Sequence, residues 1–278
     1  MADLSIKPEH VRSARRTGEH VARSSGFEWL ARTGFVARGA VYIVIGVLAT
    51  KLAAGSGDAN PSQQGALKAV AAEPFGKVLL ILIAIGLAGY AFWRLVRALL
   101  GHGPEGADRG LDRVAALASG VVYSVLCALA VEILLGSGGG SSNAKSATAG
   151  ALGWPAGTWL VGIAGAVLIG VGLYQGYRGV SKDFLGDSKT EEMSAAVRSW
   201  IEWVGTVGYL ARMVVFGLVG AFLIRAAVDY SPDKAVGLDG ALAKVDHASY
   251  GPFLLGIVAA GLIAFGVYSL ADSRYRRI

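Results

Sequence analysis

Hydrophobic positions in this chain fall into long blocks, and polar positions gather between them. Six stretches are apolar over roughly the 20 residues a helix needs to cross a bilayer core. They run Phe35–Ala54, Val78–Leu100, Val114–Val131, Trp159–Tyr177, Val204–Val228 and Pro252–Ala271. The first and fifth are interrupted, by Arg38 and Lys51 and by Arg212 and Arg225, which leaves 12 residues between the charges in each. Twelve residues rise about 18 Å, short of the roughly 30 Å core. Basic side chains reaching to the interface on long stems close most of that gap. The short alternating segments of a membrane barrel are not seen, and backbone groups in lipid must be satisfied within helices. Six transmembrane helices are therefore expected.

The stretches pair into three copies of one unit, each a helix, a loop and a second helix. First helices open on Gly34-Phe35-Val36-Ala37-Arg38 and Gly208-Tyr209-Leu210-Ala211-Arg212, with Ala115-Ala116-Leu117-Ala118-Ser119 in the middle unit. Four residues further on stand Tyr42, Phe216 and Tyr123. Phe27-Glu28-Trp29 and Ile201-Glu202-Trp203 extend the match upstream in units one and three. Every loop holds Gly-Ala-Leu, at Gly65, Gly150 and Gly240. Each second helix opens near a proline (Pro74, Pro155, Pro252), a residue tolerated in a first helical turn, and ends on Tyr90, Tyr174 or Tyr268. One turn beyond come Arg94, Arg178 and Asp272, on the tyrosine's face. These three can pair across repeats or reach separately for the interface.

Each unit enters and leaves on one side, so the repeats are parallel, unlike those of inverted-repeat transporters. The expected fold is all-α: six transmembrane helices in three parallel two-helix repeats with approximate threefold pseudosymmetry. The expected layout is a basic tail and interfacial helix over 1–30, repeat one over 31–101, a linker over 102–110 and repeat two over 111–184. A linker with a second interfacial helix follows over 185–203, then repeat three over 204–278.

The thrice-repeated hairpin, with Ala37-Arg38-Gly39-Ala40-Val41-Tyr42 and the Gly-Ala-Leu loops, resembles the family known as domain of unknown function 1206. That resemblance covers about Ala31 to Arg277 and is strongest in unit one. Unit two departs, with Ser119 at the arginine position and Ala115 at the glycine. It implies a bacterial multi-pass membrane protein, and it carries over no catalytic residue, cofactor or substrate.

Composition agrees with the pattern. Hydrophobic residues are 54% and charged residues 17%, against roughly 25% charged in a soluble domain. Disorder is excluded by that hydrophobicity, and a disulfide scaffold by the single cysteine, Cys127. With the N-terminus taken as cytoplasmic, inner segments carry 19 of 26 basic and 13 of 20 acidic residues, a net +6 inside and zero outside. The positive-inside rule then places both termini in the cytoplasm of a bacterial inner membrane. Anionic headgroups at that face account for the basic surplus, with no need of nucleic acid.

The candidate chemistry is sparse. Arg38 and Arg212 recur at one position inside apolar stretches and, with Arg94 and Arg178, are candidate contacts for lipid headgroups or another anion. The bland alternative is reach to the interface. Tyr42, Tyr123, Phe216, Tyr90, Tyr174 and Tyr268 are candidates to line the pseudo-threefold axis. Glu132 and Arg225 can pair near the outer interface. His10, His20, His102 and His247 lie in tails and loops without metal-ligand spacing, and no haem site is expected. Cys127 reads as a packing residue. The glycine-rich run Gly136–Ser142 lacks the lysine of a phosphate loop and reads as a linker. The fourth span carries Gly162, Gly165, Gly170, Gly172 and Gly176; Gly172 with Gly176 and Gly162 with Ala166 have close-packing spacing, for this bundle or for a second subunit.

No catalytic set, cofactor site or metal site is expected. The leading expectation is a non-enzymatic membrane protein that binds a membrane partner or lipid through its helix surfaces, with a homo-oligomer also possible. A small channel or passive transporter along the axis is the alternative.

Overall fold

The computed structural model describes residues 25–55, 59–100, 110–136 and 144–277. The basic tail, His10, His20, His102 and the run after Gly136 lie outside them. Six helices are long and apolar enough to span a membrane. In chain order they are α1 (Ser25–Ala53), α3 (Gly76–Leu100), α4 (Gly110–Leu134), α6 (Gly157–Ser181), α7 (Ala195–Val228) and α9 (Gly251–Tyr275). Three short helices join them in pairs at one end of the bundle: α2 (Gln63–Ala72), α5 (Ala144–Leu152) and α8 (Leu238–Asp246). No strand forms among the described residues; Ser188 and Arg276 make one isolated antiparallel bridge.

The Gly-Ala-Leu signature lies in those short helices, and its leucine is a plug in every unit. Leu67, Leu152 and Leu242 are all buried beneath the turn into the second helix. That turn is tight. A Cβ at Gly76, Gly157 or Gly251 would strike the carbonyl oxygens of the preceding short helix. Pro74 and Pro155 sit in the turn itself, ahead of α3 and α6; Pro252 alone occupies a first helical turn.

The two expected interfacial helices are not separate elements. Ser194 caps α7 by accepting from the Val197 N–H, and no proline or turn interrupts the 34 residues that follow. At about 51 Å, α7 outruns the roughly 30 Å core. Trp200 and Trp203 are exposed near its start. In the same way α1 runs unbroken from Ser25, with Trp29 exposed.

Packing follows a cycle. The most extensive interfaces are α3 with α4, α6 with α7, and α9 with α1. Each joins the second helix of one unit to the first of the next, and the last closes the ring. Small residues make these approaches close, as they must where lipid supplies no hydrophobic drive between helices. Gly165 and Gly220 face one another's carbonyls across α6–α7, and Gly39 and Gly266 do so across α9–α1. The glycine face of the fourth span thus packs within the bundle.

Inside the units the symmetry breaks. α1 packs on α3 and α7 on α9, but α4 and α6 make no comparable interface among the described residues. Glycine permits the two contacts that form: a Cβ at Gly34 would fall 2.5 Å from Tyr90 Cβ, and one at Gly208 would fall 2.6 Å from Phe265 Cα. Among the described residues the two helices of unit two stand apart.

Candidate functional site

Four side chains singled out by the repeat pattern converge beside that gap. Arg38, from α1, is 5% exposed and fully committed. Its Nε donates to Ser269 Oγ at 3.0 Å, Nη1 to Tyr90 Oη at 2.8 Å and Nη2 to Asp272 Oδ2 at 3.3 Å. The guanidinium also lies 4.8 Å from the Phe35 ring centroid. A buried charge persists only when paired and hydrogen-bonded, and Arg38 is both. It does not reach to the interface.

Arg94, one turn past Tyr90 on α3, donates to the same Tyr90 oxygen through Nε at 3.0 Å and Nη2 at 2.8 Å. Asp272, at the equivalent place on α9, takes a second arginine: Arg276 Nη1 donates to its Oδ2 at 3.2 Å. Arg276 Nη2 reaches Asp187 at 2.8 Å, and Arg178 of α6 reaches the same Oδ2 at 2.7 Å. Asp272 and Arg178 are therefore linked across repeats, through Arg276 and Asp187. Burial alone would lower the Arg276 pKa. The two carboxylates outweigh it and hold the group charged, well above the usual arginine range.

The segment between α6 and α7 forms the floor. Phe184 is fully buried against Tyr209 and Tyr268. Lys189 N–H donates to the Tyr275 carbonyl at 2.7 Å and Arg277 N–H to the Asp187 carbonyl at 2.9 Å, which ties the end of α9 to this floor.

Above the floor lies a polar cavity of about 60 Å³, room for a few waters or one small oxyanion. Arg38, Arg94, Arg178, Arg212 and Arg276 line it with Tyr90, Tyr123, Tyr209, Ser119 and Gln175. No carboxylate is among these lining residues. Ser119 and Tyr123 come from α4 and Gln175 and Arg178 from α6, so the cavity opens where unit two is parted.

Arg212 is held chiefly by aromatic rings. Its guanidinium sits 4.4 Å from the Phe265 ring centroid, 5.1 Å from Phe216 and 5.5 Å from Tyr42. Among the described residues its Nε is buried and has no hydrogen-bond partner, and no carboxylate pairs with it. It also lines a second cavity of about 180 Å³, otherwise walled by Tyr42, Gln63, Leu168, Val215, Phe216, Val219, Leu238 and Leu262. That space is mainly apolar and extends to Gln63 and Leu238, the first residues of α2 and α8.

The six proposed axis aromatics divide. Tyr42 and Phe216 line the apolar cavity, and Tyr90 and Tyr123 line the polar one, their rings 4.4 Å apart. Tyr268 is buried beside Phe184 and Tyr209, away from both cavities. Tyr174 is 49% exposed on α6 and lines neither cavity; its neighbour Gln175 lines the polar one instead. Arg225 pairs with Asp229 at 3.7 Å, not with Glu132, which is exposed. Cys127 is a free thiol donating to the Ala84 carbonyl at 3.5 Å. His247 is exposed at the end of α8. Among the described residues no group of three His, Cys, Asp or Glu side chains is placed to hold a metal.

Asp187, Ser269 and Arg276 were not singled out by sequence. Arg276 carried a faint signal, one helical turn past Asp272. Asp187 carried none, since its partners are set by the fold of the linker.

Fold and cavities together define a class: a six-helix membrane protein of three cyclically packed helical hairpins around a cationic pocket. The chain belongs to the family described as Domain of Unknown Function (DUF1206), which matches it three times, over residues 33–101, 114–182 and 207–276. It is also similar to the Uncharacterized protein YxxB of Bacillus subtilis (strain 168), at 36% identity over 251 residues, 89% of this chain and 90% of that relative. No solved structure matches it.

Proposed function

We propose that this is a non-enzymatic protein of the bacterial cytoplasmic membrane that binds an anionic group in the arginine cavity, at the cytoplasmic face. The observation that carries the reading is the charge balance: five guanidiniums line the cavity, and among the described residues the carboxylates paired with them are Asp272 and Asp187. Neither Arg94 nor Arg212 pairs with either of them. Guanidinium forks match the paired oxygens of phosphate, sulfate or carboxylate, and tyrosine hydroxyls add neutral donors. The lining offers donors but no nucleophile poised beside a base, which favours recognition over turnover.

Sulfate is a suitable probe. It should stabilise the purified protein against heat, and Arg94→Gln or Arg178→Gln should each weaken its affinity about tenfold, the worth of one charge-assisted hydrogen bond. Equal stabilisation of wild type and both variants would refute the reading.

A second reading is a passive anion path along the pseudo-threefold axis. One observation favours it: the two cavities meet at Arg212, so that a single side chain and its ring cage stand between them. Chloride efflux from reconstituted liposomes, faster in Arg212→Ala, would support it; no efflux from either protein would remove it.

A further inference from the structure

We infer that the two cavities form one site for an amphiphile: a membrane lipid whose anionic phosphate headgroup lies among the arginines and whose acyl chain rises into the apolar space. The inference rests on the anion-binding reading above and names the ligand class of that same site.

Four observations lead to it. The first is polarity. The lower cavity is lined by arginine, tyrosine, serine and glutamine, and the upper almost wholly by apolar side chains. Arg212 belongs to both, where a headgroup would give way to a chain. A site for a free oxyanion has no use for the second half.

The second is direction. The polar cavity lies in the half of the bundle where α9 ends, one to three turns in from the ends of α3 and α6 and beside Arg276 just past α9. The apolar cavity leads from there toward α2 and α8. Head at the membrane face and tail toward the middle is how a lipid of the adjoining leaflet already stands, so entry requires no inversion.

The third is access. α4 and α6 both wall the polar cavity, yet no α4 residue lines the apolar one, and the two helices make no comparable interface. A lipid can therefore slide in sideways, its chain passing through the gap in unit two. The upper space, about 180 Å³, resembles in size an engineered 150 Å³ protein cavity that admits benzene. It holds part of a chain, and the remainder stays in the bilayer.

The fourth is the sequence of unit two itself. Ser119 stands where units one and three carry Arg38 and Arg212, and Ala115 where they carry Gly34 and Gly208. An arginine at 119 would project into the polar cavity, which Ser119 lines, and serine leaves that room free.

The test titrates the purified full chain, in a non-ionic maltoside, with short-chain phosphatidylglycerol, the matching phosphatidylcholine and inorganic phosphate. Native mass spectrometry reads lipid occupancy, and thermal stabilisation reads phosphate. Leu168→Trp and, separately, Val219→Phe fill the apolar cavity and leave every arginine of the polar one in the sequence. Phosphatidylglycerol should bind about tenfold more tightly than phosphatidylcholine, and both variants should lose about tenfold of that affinity while keeping that for phosphate. Unchanged phosphatidylglycerol binding in both variants, with phosphate still bound, would overturn the lipid assignment and leave the anion reading standing. Failure of wild type to bind either phosphate or phosphatidylglycerol would overturn both.

Discussion

Two arginines at one position of the repeat have opposite surroundings. Arg38 donates to a hydroxyl, a phenol and a carboxylate, whereas among the described residues Arg212 is stacked on aromatic rings with no carboxylate paired to it. Truncating one partner of a buried pair strands the other charge, so Asp272→Ala, which leaves Arg38 and Arg276 without their shared acceptor, should cost on the order of 3 kcal/mol and lower the melting temperature in detergent. Arg212→Met should behave in the opposite sense. It removes a buried cation with an unpartnered nitrogen, keeps the apolar stem, and should stabilise the free protein by on the order of 1 kcal/mol while abolishing anion binding. Parallel melting curves and sulfate titrations of Asp272→Ala and Arg212→Met check both. A marked loss of stability in Arg212→Met would mean that its ring cage is structural. Arg38, Arg94, Arg178 and Arg212 were visible in sequence because they recur by repeat position; which of them is paired was not, since Ser269, Asp272 and Tyr90 reach Arg38 from distant parts of the chain.

Among the elements, close helix contact depends on single small residues. Gly208→Leu should wedge α7 from α9 and destabilise by about 1 to 3 kcal/mol, the usual cost of overpacking. Gly217→Leu, on the same helix but where a Cβ would meet nothing within 4 Å, should cost less than half as much. Thermal denaturation of the two variants side by side decides this; equal losses would mean that the close approach at Gly208 does not govern the packing. The long helices were legible from run length, and the parallel units from repeated short motifs. The helical connectors were less so. The Gly-Ala-Leu triplet marked a shared loop, but not that the leucine is a buried plug on a short helix. Interfacial helices before the first and fifth spans were expected from amphipathic spacing. That spacing cannot tell a separate helix from the first turns of a longer one, and with no breaker between Ala195 and Val228 the helix runs on.

At the scale of the whole molecule, a threefold cycle is broken in one sector, and the site lies there. The proposed topology, drawn from the parallel repeats and the charge asymmetry, places the ends of the chain on the cytoplasmic side. In a Cys127→Ser background, Lys68→Cys should react with an impermeant maleimide on intact cells, and Lys182→Cys only after permeabilisation. The reverse pattern would invert the topology and move the arginine cavity to the outer leaflet.

The most direct test of the central claim, that the arginine cavity holds an anionic group, is native mass spectrometry of the protein released from its native membrane in mild detergent. Wild type should retain one anionic adduct with the mass of an acidic lipid, and an Arg94→Gln/Arg212→Met double variant, equally folded by its melting profile, should have lost it. A wild type that emerges bare, or that carries the same adducts as the double variant, would contradict the claim.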